Sequence, residues 1–249
     1  MSDRLHVGNL NLRNLADRWW ERLALLAADF GALQPDIFGL QECVYVMHQD
    51  RVLAATGDAR YRSVRGWAGR PEYGNAILVK EPFVARDEER LHMSVERAAV
   101  RCVVDLPGGS RLLVVVTHLH HGPDDPGPRM DQVGQILRWL DTAPEHDALV
   151  VMGDFNAHPD ERTYSMMVEA GFRSAFEEAN GAEPEKTWRT PIVAPMIDDT
   201  ATEGCIDYVF VRGAIEVERA WITFDRPDPE DPGLWPSDHY GLSTWLRVG

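Results

Sequence analysis

The sequence predicts a mixed α/β protein with a large, partly antiparallel sheet component. Three observations carry this: many short apolar runs rich in β-branched residues, helical apolar spacing in a few longer segments, and a Pro107-Gly108-Gly109 turn that joins two strand-like runs as a hairpin. The 249 residues are 44% hydrophobic, enough to bury a substantial core without disulfides or metal staples. No repeat, linker or low-complexity tract interrupts the chain, so residues 1–249 are expected to form one domain.

The pattern opens β then α. Residues 5–12 alternate apolar with polar, and residues 16–33 carry Trp19, Trp20, Leu23, Leu26 and Phe30 at helical spacing. Pro35 stops that helix, and the apolar run 37–40 ends in the polar pair Gln41 and Glu42. Further strands are expected at 76–80, 98–106, 112–117, 148–152, 206–211, 217–224 and 242–248, and helices at 129–140 and 161–170. The Pro- and acid-rich segments 122–128 and 226–236 read as surface loops. Trp19, Trp20, Trp139 and Trp245 read as core residues.

Net charge is -15, which repels long polyanions. Lys80 and Lys186 are the lysines of the chain, so its positive charge is almost all arginine, the residue suited to a bidentate grip on phosphate. The three cysteines, Cys43, Cys102 and Cys205, have no C-x-x-C spacing and read as small buried residues in a reducing compartment. No basic head with an apolar run opens the sequence and no stretch is long enough to span a bilayer, so a soluble cytoplasmic protein is expected.

Several apolar runs end in a polar cluster: Asn9 and Asn11, Gln41-Glu42, Thr117-His118, Gly153-Asp154-Phe155-Asn156, and Ile206-Asp207-Tyr208, with Ser237-Asp238-His239 ahead of the last strand. Strand ends meeting at one sheet edge would gather these groups into one pocket. The segments VGNLN, LQE, THL, GDFN, IDY and SDH, in that order, resemble the successive signatures of the endonuclease/exonuclease/phosphatase superfamily, the deoxyribonuclease-I-like phosphoesterases. The resemblance runs from Asn11 to His239. It implies a four-layer α/β sandwich with two packed mixed β-sheets flanked by helices, and hydrolysis of a phosphate ester by in-line attack of an activated water.

The resemblance also implies Mg²⁺ or Mn²⁺ held by Glu42, with Asn11 and Asp238 close by. A strand-end carboxylate suits a hard cation, which would neutralise charge developing on phosphoryl oxygens. Asp207 and His239 resemble the family's carboxylate and histidine pair, Asp154 would orient or deprotonate the attacking water, and Asn156 would hold that water or a phosphate oxygen. Either Asp154 or His239 serves as base. His118 would donate to a non-bridging phosphate oxygen. Asn11, Arg97 and Arg129 are substrate-binding candidates and Thr187 a supporting one, while Arg129 and Gln132, at the start of the following helix, fit a packing or capping role equally well.

His118, His120 and His121 also resemble the start of the zinc motif of metallo-β-lactamase-like hydrolases, but Gly122 stands where that motif needs Asp. A non-catalytic binding module is a further alternative, as is a nuclease acting on DNA or RNA. Charge favours a small phosphorylated molecule, a nucleotide, a short single strand or a lipid headgroup over long duplex DNA. Asp124, Asp125, Asp225, Asp228, Glu230 and Asp231 would repel a polyanion at the mouth. Arg60, Arg62, Arg65 and Arg70, interleaved with Tyr61, Trp67 and Tyr73, argue the other way, either as a stacking platform or as an ordinary strand with solvated arginines.

Overall fold

The computed structural model describes residues 3–56, 59–67, 69–70, 74–122, 125–195 and 202–249. In chain order the elements are β1 (Asp3–Asn11), α1 (Trp19–Leu33), β2 (Ile37–Cys43), a 3-10 turn (Tyr45–Met47), α2 (Gln49–Ala54), β3 (Tyr61–Trp67), β4 (Gly74–Lys80), β5 (Val84–Met93), β6 (Arg97–Asp105), β7 (Arg111–His118), α3 (Gly127–Leu140), β8 (Ala148–Asp154), α4 (Arg162–Glu169), β9 (Arg173–Ser174), α5 (Ala175–Asn180), β10 (Asp207–Gly213), β11 (Ile215–Thr223) and β12 (Gly241–Val248).

Period-two alternation decides the layers. In β7, Leu112, Val114 and Val116 enter one apolar cluster while Leu113 and Val115 enter another; in β8, Ala148, Val150 and Met152 separate from Leu149 and Val151 in the same way. Strands apolar on both faces must be covered on both. One face of each sheet packs against the other sheet, and the cluster between them holds Leu5, Val7, Ile37, Ile77, Val100, Val114, Val150 and Val209. The outer face of one sheet is covered by α1 through Leu26 and Phe30 against Phe38 and Leu40. The outer face of the other is covered by α3 and α4 through Val133, Ile136 and Met167 against Leu113, Val115 and Val151. The result is the four-layer α/β sandwich.

The sheets run β11-β12-β1-β2-β4-β3 and β5-β6-β7-β8-β10-β9. Each has one parallel pair at its middle, β1 with β2 and β7 with β8, and antiparallel neighbours on either side. A parallel pair requires a crossover, supplied here by α1 and by α3. The carboxyl ends of both parallel pairs carry the polar clusters seen in the sequence.

Strands β5 and β9 and helices α2 and α5 were not predicted as such, while β3 matches the ordinary-strand reading of the arginine-rich stretch. β5 is charged and exposed along most of its length, so it has no apolar alternation to read, and its position comes from pairing with β6. Trp20 corrects the core expectation: it is 69% exposed, whereas Trp19 is buried and Trp139 and Trp245 are half-buried. The three cysteines are buried and free, as expected. No described helix is long and apolar enough to cross a membrane.

Candidate active site

Strand register alone builds one wall of the site. His118 on β7 lies opposite Asp154 on β8, and Asp154 lies opposite Asp207 on β10, giving a row across three adjacent strands. The other wall comes from the second sheet, where Asn11 on β1 lies opposite Gln41 on β2. The walls join where Asn11 Nδ2 donates to Asp154 Oδ2 at 2.9 Å and to Glu42 Oε1 at 3.3 Å.

Strand parity would turn Glu42 to the helix side with Phe38 and Leu40. A β-bulge between Leu40 and Cys43 and a left-handed Glu42 backbone, φ 56°, prevent that, and bulges commonly re-aim side chains at active sites. Glu42 Oε2 then accepts from Asn14 Nδ2 at 2.7 Å. At the opposite wall Gly153 has φ 151°, and a Cβ there would lie 1.9 Å from the Thr117 carbonyl oxygen. Only glycine lets β8 approach β7 that closely before Asp154 emerges.

His239 enters from the segment before β12. Its Nδ1 lies 2.9 Å from Asp207 Oδ2, and its Nε2 lies 3.8 Å from Asp154 Oδ2. His118 Nε2 lies 3.4 Å from that same Asp154 oxygen. The Asn156 backbone N–H donates to Asp154 Oδ1 at 2.9 Å, and its side-chain amide donates to the Leu119 carbonyl. Asp154, Asp207 and His239 each bring a ligand atom within 4.8 Å of one another.

Burial works against every charge here. It raises the Asp154 carboxyl to about 7, with repulsion from Asp207 adding to it and His239, Asn11 and the Asn156 N–H opposing it. Burial also depresses the His239 imidazole, but Asp207, Asp238 and Asp154 outweigh it and lift His239 to about 10. His118 is pushed well below its ordinary value by burial and by the neighbouring Arg97, His239 and His121, so it is neutral. Burial lowers the Arg97 guanidinium, which feels the charges of Asp154 and Glu42 and lies 2.8 Å from His121 Nδ1.

Other expected residues have different positions. Asp238 Oδ2 accepts from Arg13 Nη1 at 2.5 Å and from the Trp188 indole at 3.3 Å. Its charge is thereby met by a guanidinium. Arg129 is buried, donating to the Gly122 carbonyl and to Glu161, so its fork fixes the β7–α3 connection. Thr187 Oγ1 accepts the backbone N–H groups of Ile206 and Asp207, both at 3.0 Å, and holds the Asp207 backbone. Gln132 ties His120 N–H to the Ser94 carbonyl. Tyr73 and Asp124 lie outside the described residues. Sequence reasoning missed Arg13 and Asn14, which sit in the turn after β1; the only signal was their nearness to Asn11.

The sequence profile of the endonuclease/exonuclease/phosphatase family matches residues 8–239. Human tyrosyl-DNA phosphodiesterase 2 is 23% identical over 251 residues, covering 98% of this chain and 67% of the human protein. Among solved structures, the human Nocturnin catalytic domain with bound sulfate has a TM-score of 0.79 at 21% identity, over 100% of this chain and 97% of that one. A mannosyl-6-phosphatase from Bacteroides thetaiotaomicron has a TM-score of 0.77 at 20% identity, over 97% and 99%. These structures share the fold. With the profile match, the protein is a hydrolase acting on ester bonds. The chain belongs to the endonuclease/exonuclease/phosphatase family, which is divalent-metal dependent, and this sets aside the zinc metallo-β-lactamase alternative.

Proposed function

We propose that this protein hydrolyses a small phosphate ester, with Asp154 as the base that takes the proton of the attacking water. The observation that carries this is the in-register row His118, Asp154 and Asp207, with His239 Nε2 beside Asp154. A carboxylate raised toward neutrality accepts a proton efficiently at neutral pH. His239, kept cationic by Asp207, presents Nε2 to a phosphoryl oxygen. Neutral His118 and the Arg97 guanidinium orient the remaining oxygens, and Asn156 fixes Asp154 through its backbone.

The residues fit a divalent cation. Asp207 Oδ1 is buried without a hydrogen-bond partner, and Glu42 makes no salt bridge among the described residues, taking only the two amide donors. A hard oxygen donor set of this kind suits Mg²⁺ or Mn²⁺. Glu42 is the principal ligand, Asn11 positions it, and the Asp154–Asp207 wall faces the same gap. Bound there, the ion supplies charge neutralisation for the phosphoryl group.

Charge supports a small substrate over duplex DNA. The net charge of -15 opposes a polyanion, and three of the four arginines in the arginine-rich stretch have carboxylate partners. Arg62 pairs with Glu88, Arg65 with Asp50 at 2.6 Å, and Arg70 with Glu96 at 3.8 Å. Tyr61 packs into the core beneath α1 and Trp67 lies under Arg90. Its described part, β3, is a strand whose arginines Arg62 and Arg65 are paired, which favours the ordinary-strand reading over an open stacking platform. A nucleotide, a sugar phosphate, a short single strand or a lipid headgroup fits this charge pattern. The test is hydrolysis of bis-p-nitrophenyl phosphate with Mg²⁺, Mn²⁺ or EDTA, followed by competition with duplex oligonucleotides at near-physiological salt. Metal-dependent turnover that duplex fails to inhibit is expected; efficient duplex cleavage with a steep salt dependence overturns the substrate assignment.

A further inference from the structure

Helix α1 buries Trp19, Arg22, Leu26 and Phe30 along one stripe, so an arginine occupies a core position between aromatic and aliphatic neighbours. Arg22 is fully buried and makes no salt bridge among the described residues. Its fork is filled by backbone carbonyls instead. Nε donates to Asp17 O at 2.9 Å, Nη1 to Leu12 O and Pro236 O, both at 2.9 Å, and Nη2 to Arg13 O at 3.1 Å, Asn14 O at 3.3 Å and Ala16 O at 2.8 Å. A guanidinium has five N–H donors in a rigid plane, and all its directions are used here.

Five of these carbonyls belong to residues 12–17, the turn that follows Asn11 and carries Asn14. That turn holds Arg13, Asn14 and Asp17 at φ 55°, 35° and 44°, a left-handed backbone that non-glycine residues adopt at a cost. A convergent cation offsets that cost by donating to the inward carbonyls. The sixth carbonyl, of Pro236, immediately precedes Ser237, Asp238 and His239. Ser237 Oγ donates to the Asn11 carbonyl at 2.7 Å, so the two segments also touch at the site itself. Burial lowers the guanidinium to about 10, with Asp238, Asp17 and Glu42 opposing the fall and Arg13 adding to it, so Arg22 is a cation at neutral pH.

We infer that Arg22 is a positioning residue: it locks the Asn11–Asn14 turn, which holds Glu42, to the Pro236–His239 segment, which carries the histidine. It touches neither substrate nor metal and acts through the backbone of both segments. The inference rests on the reading of Glu42 and His239 as site residues, and hydrogen exchange tests it without that reading.

The mild variant is Arg22→Lys, which keeps the charge but offers three donors from one nitrogen; Arg22→Met is the severe one. Leu26→Ala, on the same stripe, is a control that loosens α1 by cavity formation alone. Amide exchange in residues 12–18 and 237–240 is expected to rise together in Arg22→Lys, at a global stability matched to Leu26→Ala, which leaves those two segments protected. Mn²⁺ affinity, read by calorimetry, falls about tenfold and kcat about 10- to 100-fold with KM for bis-p-nitrophenyl phosphate little changed, the range seen when groups behind metal ligands are altered. Exchange that rises only in proportion to global stability, or in one segment without the other, overturns the inference. If the wild type shows no metal-dependent turnover, the phosphoesterase reading fails and the exchange comparison still decides the role of Arg22.

Discussion

Asp154→Asn is expected to make the metal-free protein more stable and inactive. The carboxyl of Asp154 stands at 3.8 in the unfolded chain and about 7 in the folded one. A raised acid binds its proton more tightly when folded, so the associated stability is complete below pH 3.8 and is lost as pH rises to about 7. Roughly three pKa units at about 1.4 kcal/mol each put the cost of the ionised, buried carboxylate at ~4 kcal/mol above pH 7. The amide removes that cost but loses something in exchange. Asn11 Nδ2, which donates to Asp154 Oδ2, meets an N–H instead of an oxygen if the new amide keeps Oδ1 for the Asn156 N–H, and a mismatched buried donor costs about 1–3 kcal/mol. The net gain is therefore about 1–3 kcal/mol. Urea denaturation in EDTA from pH 4 to 10 measures it. Relative to the variant, the wild type is expected to lose stability between pH 4 and 7, because the other groups that titrate there, the depressed His6 and His118 among them, are common to both proteins; both decline between 7 and 10, where His239, raised from 6.5 to about 10, gives up its proton. A variant less stable than wild type at pH 8, or with the same slope between pH 4 and 7, refutes the account of Asp154 as a carboxylate held at a cost.

Three more outcomes follow from the geometry. Glu42→Gln removes one charge without changing size, so Mn²⁺ affinity and turnover should fall together, about tenfold or more in affinity; an unchanged metal titration shows that Glu42 is not the principal ligand. His239→Ala and Asp207→Ala should each lower kcat by several orders of magnitude with strongly non-additive effects, because Asp207 holds the charge and orientation of His239, and additive losses in the double-mutant cycle contradict a joint role. Gly153→Ala places a Cβ against the Thr117 carbonyl, so a loss of roughly 3 kcal/mol or more is expected from the thermal midpoint; a tolerated alanine means that the β7–β8 contact is looser than described.

The strands that build the site were legible because their apolar runs are long and end in polar clusters. Strands β7 and β8 alternate cleanly, and their ends deliver His118 and Asp154 where the sequence placed them. Glu42 was legible as a residue but not as a direction, since strand parity points it away and only the bulge after Leu40 restores it. The partner of Asp238 was not legible, because a sequence does not show which cation meets a carboxylate; here it is Arg13, two residues past Asn11 and 225 residues away from Asp238 in the chain. Trp20 was misread because it adjoins Trp19 in the helix, and a helix buries only one stripe. Arg22 left a readable mark, an arginine in phase with Trp19, Leu26 and Phe30, but that mark says only that a cation is buried and not what it holds.

The parallel pairs at the middle of each sheet divide the proposed site between two separately hydrogen-bonded bodies. Asn11 and Glu42 belong to one and His118, Asp154 and Asp207 to the other, and side chains alone set the gap that separates them. Val116 and Met152, the last apolar residues before His118 and Asp154, therefore act as spacers whose size fixes how far the proposed metal ligand stands from the proposed base. Trimming either one is expected to shift that distance from behind without altering a single polar group, which would make the sandwich interior a gauge for the proposed reaction at its rim.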